Sequence, residues 1–204
     1  METAHFTSIQ SSKDLSNFQR LASHYVGVDL PMEYLDDALV IALKDKKFGH
    51  LYGGFVMSYN GKLRCLEQLP ETIQKHHDLI RKNRDHCFEI NGLWLDKKSA
   101  PHGSRLQLYL ECMKQSIRLG LKGKHKYVYA YSSDNHKLRE FYKNFNSWKI
   151  YEGPVRPLPG CENPGSEIVE MGCMKRLPLT VLRNPNFLVD RAFNRGTKKL
   201  KWIS

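Results

Sequence analysis

The chain has 204 residues, enough for one domain with a substantial core and a tail, and too few for two independent domains of ordinary size. With 41% hydrophobic and 26% charged residues, wholesale disorder is excluded. Lys and Arg outnumber Asp and Glu by 32 to 21; the formal charge of +11 favours partners carrying phosphate or carboxylate, without choosing among nucleic acid, a membrane surface, a phosphorylated cofactor and an acidic carrier protein.

Five cysteines, Cys65, Cys87, Cys112, Cys161 and Cys173, are odd in number, widely spaced and free of any C-x-x-C pair. The expectation is reduced, mostly buried thiols, with neither a disulfide framework nor a zinc site. The N-terminal stretch has no apolar run flanked by basic residues, and nowhere do about 18 apolar residues follow one another, which predicts a cytoplasmic chain without a membrane span.

In chain order, residues 4 to 10 read as a strand. "SSKDLSNFQRLASHYVG" follows with a Ser cap and apolar positions Leu15, Phe18, Leu21 and Tyr25 at helical spacing. "DDALVIALKD" is a strand, "KKFG" a turn, and "HLYGGFVMSYNGKLRCLEQLP" continues in extended character with a turn at Asn60-Gly61. "PETIQKHHDLIRKN" predicts one exposed helix over 70–83, and "HCFEINGLWLDKK" another strand.

The loop "SAPHGS" then opens the best-defined helix, "RLQLYLECMKQSIRLGLKG", whose stripe Leu106, Leu110, Met113, Ile117 and Leu121 is the expected core face. "KYVYAY" is a strand, "SSDNHKLREFYKNF" a short helix, and "SWKIYEGPV" and "GSEIVEMGCMKRLP" are two last strands around the loop "RPLPGCENPG". The order β-α-β-β-α-β-α-β-α-β-β gives a mixed α/β (α+β) domain of about seven strands and four helices over 1–176. From residue 175 onward eight Lys or Arg stand against Asp190 alone, a net +7, so residues 177–204 are expected to form a basic C-terminal extension.

This order resembles the GNAT-type (GCN5-related) N-acyltransferase fold, and the resemblance covers about residues 1 to 176. Its most specific local match is the short helix. The family often shows N-x-x-A-x-x-L-Y-x-K-x-G-F, and here stand Asn135, Leu138, Phe141, Tyr142, Lys143 and Phe145. Where the family has a phosphate-cradling Q/R-x-x-G-x-G/A, this chain has "SAPHGSRLQ". "GGFVMSYNGKLRCLEQLP" and "FEINGLWLD" are similar to strands of the branch that makes N-acyl amino acids and acyl-homoserine lactones, except that Glu89 is followed by Ile90, Asn91 and Gly92 in place of Ser-Arg.

The resemblance implies acyl transfer from a pantetheine thioester, acyl-CoA or an acyl-carrier protein, to an amine acceptor. That chemistry takes a proton from an ammonium, stabilises an oxyanion and protonates a leaving thiolate. Tyr142 is implied as the acid, against the plain alternative of a core tyrosine on the stripe Leu138, Phe141, Tyr142 and Phe145. Glu89 stands in an otherwise apolar strand, either solvent-facing or held in a cleft where burial would raise its pKa for general-base work. Backbone groups of Leu93, Trp94 and Leu95 are implied as the oxyanion donor and pantetheine rail.

His102, Gly103, Ser104 and Arg105 are the expected pyrophosphate contacts at a helix N-terminus, or else only a Ser-capped turn. Asn135 is either a cap or a cofactor contact. The histidines, including the adjacent His76 and His77, are read as surface or loop residues, and no metal is expected. Two other function classes remain open. One is a nucleic-acid-binding module using the basic tail with Phe187, Phe193 and Trp202; the other is an inactive relative that binds an acyl ligand or a partner.

Overall fold

The computed structural model describes residues 4–177. The expected basic extension, from residue 178 on, lies outside the described residues. Seven strands form one sheet: β1 (Ala4–Ile9), β2 (Leu39–Asp45), β3 (Leu51–Ser58), β4 (Cys87–Leu95), β5 (Lys126–Ser132), β6 (Trp148–Pro154) and β7 (Ser166–Cys173). Their order is β1-β2-β3-β4-β5-β7-β6, antiparallel throughout except for the parallel β4–β5 pair. A parallel pair needs a crossover. The long helix α6 (Ser104–Leu121) supplies it.

The remaining helices are α1 (Ser12–Val26), α2 (Met32–Asp36), α3 (Arg64–Glu67), α4 (Glu71–His76), α5 (Asp78–Asn83) and α7 (His136–Tyr142). The Ser11 hydroxyl caps α1 by accepting from the Asp14 N–H, and Leu15, Phe18 and Ala22 bury its inner face. That face packs on Val40, Ala42, Val56 and Trp94 of the sheet. On the same side, α3 and α5 cover β4, β5 and β7 through Leu66, Ile80, Val128, Val169 and Met171. The opposite side carries α6 and α7.

Three expectations about the elements need correction. The run after Gly61 is not extended: residues 64–67 turn into α3, because their backbone N–H groups meet a buried carboxylate described below. The single helix expected over 70–83 is two, since His77 takes extended angles (φ −76°, ψ 116°) and breaks it; its second half buries Ile80. Met32–Asp36 adds a further short helix, so seven α-helices stand among the described residues where four were expected.

The core face of α6 is also not the expected one. Leu110, Ile117 and Leu121 are exposed, while Leu108, Cys112, Gln115, Ser116 and Leu119 are buried. The reason lies in β5, whose Tyr127, Tyr129 and Tyr131 form a ladder of rings about 6 Å apart against this helix. Three rings fill most of the inter-layer space, so the helix meets them with smaller side chains. Two of its buried polar side chains are satisfied locally, Ser116 donating to the Cys112 carbonyl and Gln115 to Glu111.

Candidate active site

β4 and β5 pair only over Cys87↔Lys126, Phe88↔Tyr127 and Glu89↔Val128. Beyond that point β4 runs on to Leu95 against β3, and β5 runs on to Ser132 against β7, but the two do not pair with each other. A V-shaped opening between two strand edges results. Backbone polar groups along such edges call for partners, and an extended ligand can supply them.

Leu93, Trp94 and Leu95 lie on the β4 arm of this opening. The register with β3 slips between Gly54 and Val56, leaving Gly92 and Leu93 opposite Phe55 as a bulge. Gly92 sits at φ 55°, and a Cβ there would stand 2.8 Å from the Leu30 side chain. Of the three residues Leu93 is partly exposed, whereas the Trp94 side chain turns into the α1 layer, stacked on Tyr25 at 5.1 Å. Any contact of Trp94 with an occupant of the opening is through its backbone.

Because β4 and β5 are parallel, the helices that follow them start at the same end of the sheet. Gly103, at φ 82°, is the N-cap of α6, and no acidic residue stands in the helix's first turn. Its exposed start presents N–H donors and the positive end of the helix dipole. His102 and Gly103 are exposed, Arg105 is half-buried, and the Ser104 hydroxyl is buried with no hydrogen-bond partner. Asn135 is the cap of α7, its Oδ1 accepting from the Leu138 N–H at 3.1 Å.

At the far end of α7 the half-buried Tyr142 ring lies 4.6 Å from Tyr129 and 4.7 Å from Tyr131. The hydroxyls of Tyr129 and Tyr131 both donate to Glu170 of β7. Burial first, and then Glu170, push the Tyr131 phenol up to about 12. Beside the half-buried Tyr142, then, stand two phenols that burial and Glu170 hold in the protonated form.

The opposite face of the sheet holds Glu89, which is fully buried. Its Oε1 accepts from the Tyr34 hydroxyl at 2.5 Å and the Arg64 N–H at 2.9 Å, and its Oε2 accepts from the Cys65 N–H at 2.8 Å. Burial raises its pKa, while the Tyr34 hydroxyl and these N–H groups pull it back. The same burial, with the Glu89 charge, pushes the Tyr34 phenol and the Cys65 thiol well up. Of the two alternatives the sequence left for Glu89, the solvent-facing one is corrected: the carboxylate is buried, burial raises its pKa, and its side-chain partner Tyr34 is itself buried.

Sequence reasoning missed this neighbourhood. Arg64 is 8% exposed, with its guanidinium 5.5 Å from the Tyr34 ring and Nη2 donating to the Pro159 carbonyl at 2.8 Å. Gln68 donates to Glu167 at 2.6 Å, and burial raises the Glu167 carboxyl. The loop between β6 and β7 closes over these residues, tied down by Asp29 N–H to the Gly160 carbonyl and Arg156 N–H to the Gln68 carbonyl. Only the charged residues inside "GKLRCLEQLP" hinted at it, and that run gives no helical or strand period. Among the described residues no group of three or more His, Cys, Asp and Glu is placed to hold a metal ion, and no helix is long and apolar enough to cross a membrane.

A seven-stranded mixed sheet opened between β4 and β5, with a helix N-terminus at the mouth, is the GNAT fold. Searches against family models and against curated proteins find no match. Among solved structures, the chain is similar to FeeM, an N-acyl amino acid synthase from uncultured soil microbes, at TM-score 0.61 and 11% identity, covering 91% of this chain and 99% of that one. It is also similar to Arabidopsis thaliana NAA60 in complex with acetyl-CoA, at TM-score 0.56, 14% identity and coverage of 85% and 99%. A GCN5-related N-acetyltransferase from Brucella melitensis matches at TM-score 0.51 and 11% identity over 91% and 82%. At such identities the likeness is one of fold.

Proposed function

We propose that the chain is an N-acyltransferase that moves an acyl group from a pantetheine thioester to an amine by direct attack through a tetrahedral intermediate. The observation that carries this reading is the parting of β4 from β5 after Glu89↔Val128, beside the N-terminus of α6. In it the pyrophosphate or phosphopantetheine end lies at His102, Gly103, Ser104 and Arg105, where helix N–H groups and a guanidinium favour an anion. The unpartnered Ser104 hydroxyl supports that assignment. The pantetheine arm runs along the backbone of Leu93, Trp94 and Leu95, whose N–H groups also serve the oxyanion, and the Asn135 side-chain amide reaches it from the α7 cap.

Tyr142 protonates the departing thiolate in this reading, since its ring packs among phenols held protonated by burial and by Glu170. Glu89 takes the acceptor's proton through Tyr34, whose hydroxyl it already binds. A net charge of +11 suits either donor, CoA with its phosphates or an acidic carrier protein. A thermal-shift series with CoA, acetyl-CoA, decanoyl-CoA, decanoyl-carrier protein and duplex DNA tests it, because a ligand of the native state raises the melting temperature. Stabilisation by a thioester together with thiol release in the presence of an amine is the expected result. Stabilisation by DNA alone would instead favour the nucleic-acid reading.

A further inference from the structure

The outward stripe of α6 has a chemistry that the sheet opening does not use. Leu110 is 54% exposed, Ile117 48% and Leu121 85%, while Leu106 and Met113 are half-buried and stand outside the core cluster that the helix builds. Steps of about 100° per residue put all five on one face. Three of the seven large hydrophobic residues exposed by the described chain thus lie in a row along one helix, on an axis about 27 Å long. Scattered apolar residues on a surface need no explanation, whereas a contiguous row rimmed by charge marks a contact surface.

The rim is of one sign. Lys114, Arg118 and, at the C-cap, Lys122 are the exposed charges along this face. Glu111, the one acid in α6, is half-buried and pairs with Lys114 at 3.0 Å. Arg118 and Lys122 form no ion pair among the described residues. A second copy of the chain fits such a face poorly, because pairing two of them sets these cations against each other with no free carboxylate on α6 to meet them. An anionic lipid surface fits both features: its phosphates meet the cations while the leucine and isoleucine side chains reach below them.

We propose that the outer face of α6 is a docking surface for anionic lipid, on which the helix lies parallel to the bilayer with Leu110, Ile117 and Leu121 inserted at headgroup depth. The inference stands apart from the acyltransferase reading, which concerns the sheet opening and the start of the helix. Binding is peripheral, since no helix among the described residues is long and apolar enough to cross a membrane. Leu108, Cys112 and Leu119 hold the inner face of α6 in the core, so the helix meets the lipid already formed and little ordering entropy is lost on docking.

The test floats the full chain with phosphatidylcholine vesicles and with mixed phosphatidylcholine–phosphatidylglycerol vesicles. Binding to the mixed vesicles is expected to be about tenfold or more above that to phosphatidylcholine alone, and to weaken as salt is raised. Ile117→Ser and Leu121→Ser combined in one chain should lower it about tenfold or more, and Arg118→Gln about fivefold. Val26→Ser removes a side chain of similar exposure, 40%, from α1 on the opposite side of the sheet, and should bind as wild type. Leu121→Trp should shift its fluorescence to shorter wavelength when mixed vesicles are added. All of these positions are solvent-exposed, and thermal melting confirms that each variant is folded before it is compared.

No binding to either vesicle, or equal binding to both, would overturn the inference. So would vesicle binding that the serine pair leaves intact, a loss of the same size in Val26→Ser, or an emission from Leu121→Trp that vesicles leave unmoved. A dimer in sedimentation equilibrium that the serine pair dissociates would give the face to a second copy and overturn it as well.

Discussion

Tyr34 and Glu89, 55 positions apart in the chain, are joined by a buried hydrogen bond of 2.5 Å, and this contact ties α2 to the point where β4 leaves β5. The same carboxylate holds the first turn of α3. Replacing Glu89 by Gln sets an amide NH2 against backbone N–H groups or the phenol, and is expected to cost about 2–4 kcal/mol, read by urea denaturation. Tyr34→Phe should cost less, about 1–3 kcal/mol. The double variant should fall short of the sum by about 1 kcal/mol or more, because each change spoils the other's partner.

The pKa of Glu167 is raised in the folded chain by burial, with Gln68 pulling partly the other way. A carboxyl raised on folding favours the protonated form of the native state. Its stabilising contribution is complete below its ordinary value of 4.5 and fades as pH rises through the folded pKa. Glu167→Gln should therefore lose its disadvantage relative to wild type as pH climbs above about 4.5. Paired urea curves from pH 4 to 7.5 check the sign; a gap that widens with pH would contradict it.

At Ser104 stability and function are expected to part. Its hydroxyl is buried without a partner, so Ser104→Ala should leave the chain as stable or more stable by up to about 1 kcal/mol. If the hydroxyl serves the thioester's phosphates, the same variant binds CoA about three- to tenfold more weakly by calorimetry. Unchanged affinity would remove Ser104 from the site.

Tyr142→Phe keeps the ring contacts with Tyr129 and Tyr131 and removes only the hydroxyl. Turnover with decanoyl-CoA is expected to fall by about 100-fold, the scale of a lost general acid, with CoA affinity within about twofold of wild type. Full activity would return Tyr142 to a packing role.

The two stripes of α6 give a plain contrast. Leu110→Lys, on the exposed stripe, should change stability by no more than about 0.5 kcal/mol. Leu108→Ala, facing the tyrosine ladder, should cost about 2–5 kcal/mol. Thermal and urea unfolding distinguish them directly.

That contrast also marks how far the sequence could be read. Both α6 stripes have helical spacing, and the more apolar one, Leu106 to Leu121, was the natural choice for the core. The choice reverses because the facing surface is a ladder of tyrosine rings, and the ladder is a property of β5 and its position in the sheet. In the same way "GKLRCLEQLP" has no period of its own, and α3 exists because Glu89, brought from another strand, satisfies its leading N–H groups.

What the sequence determined by itself is the local order: seven strands set by β-rich runs and turn residues, a Ser-capped first helix, and a helix following each strand of the parallel pair. Capping, alternation and turn chemistry act over a few residues and are written in neighbouring letters. Only the tertiary structure decided the parting of β4 from β5, the buried face of α6 and the meeting of Tyr34, Arg64 and Glu89. Those depend on side chains tens of residues apart competing for the same space and the same hydrogen-bond partners, and no local pattern records that competition.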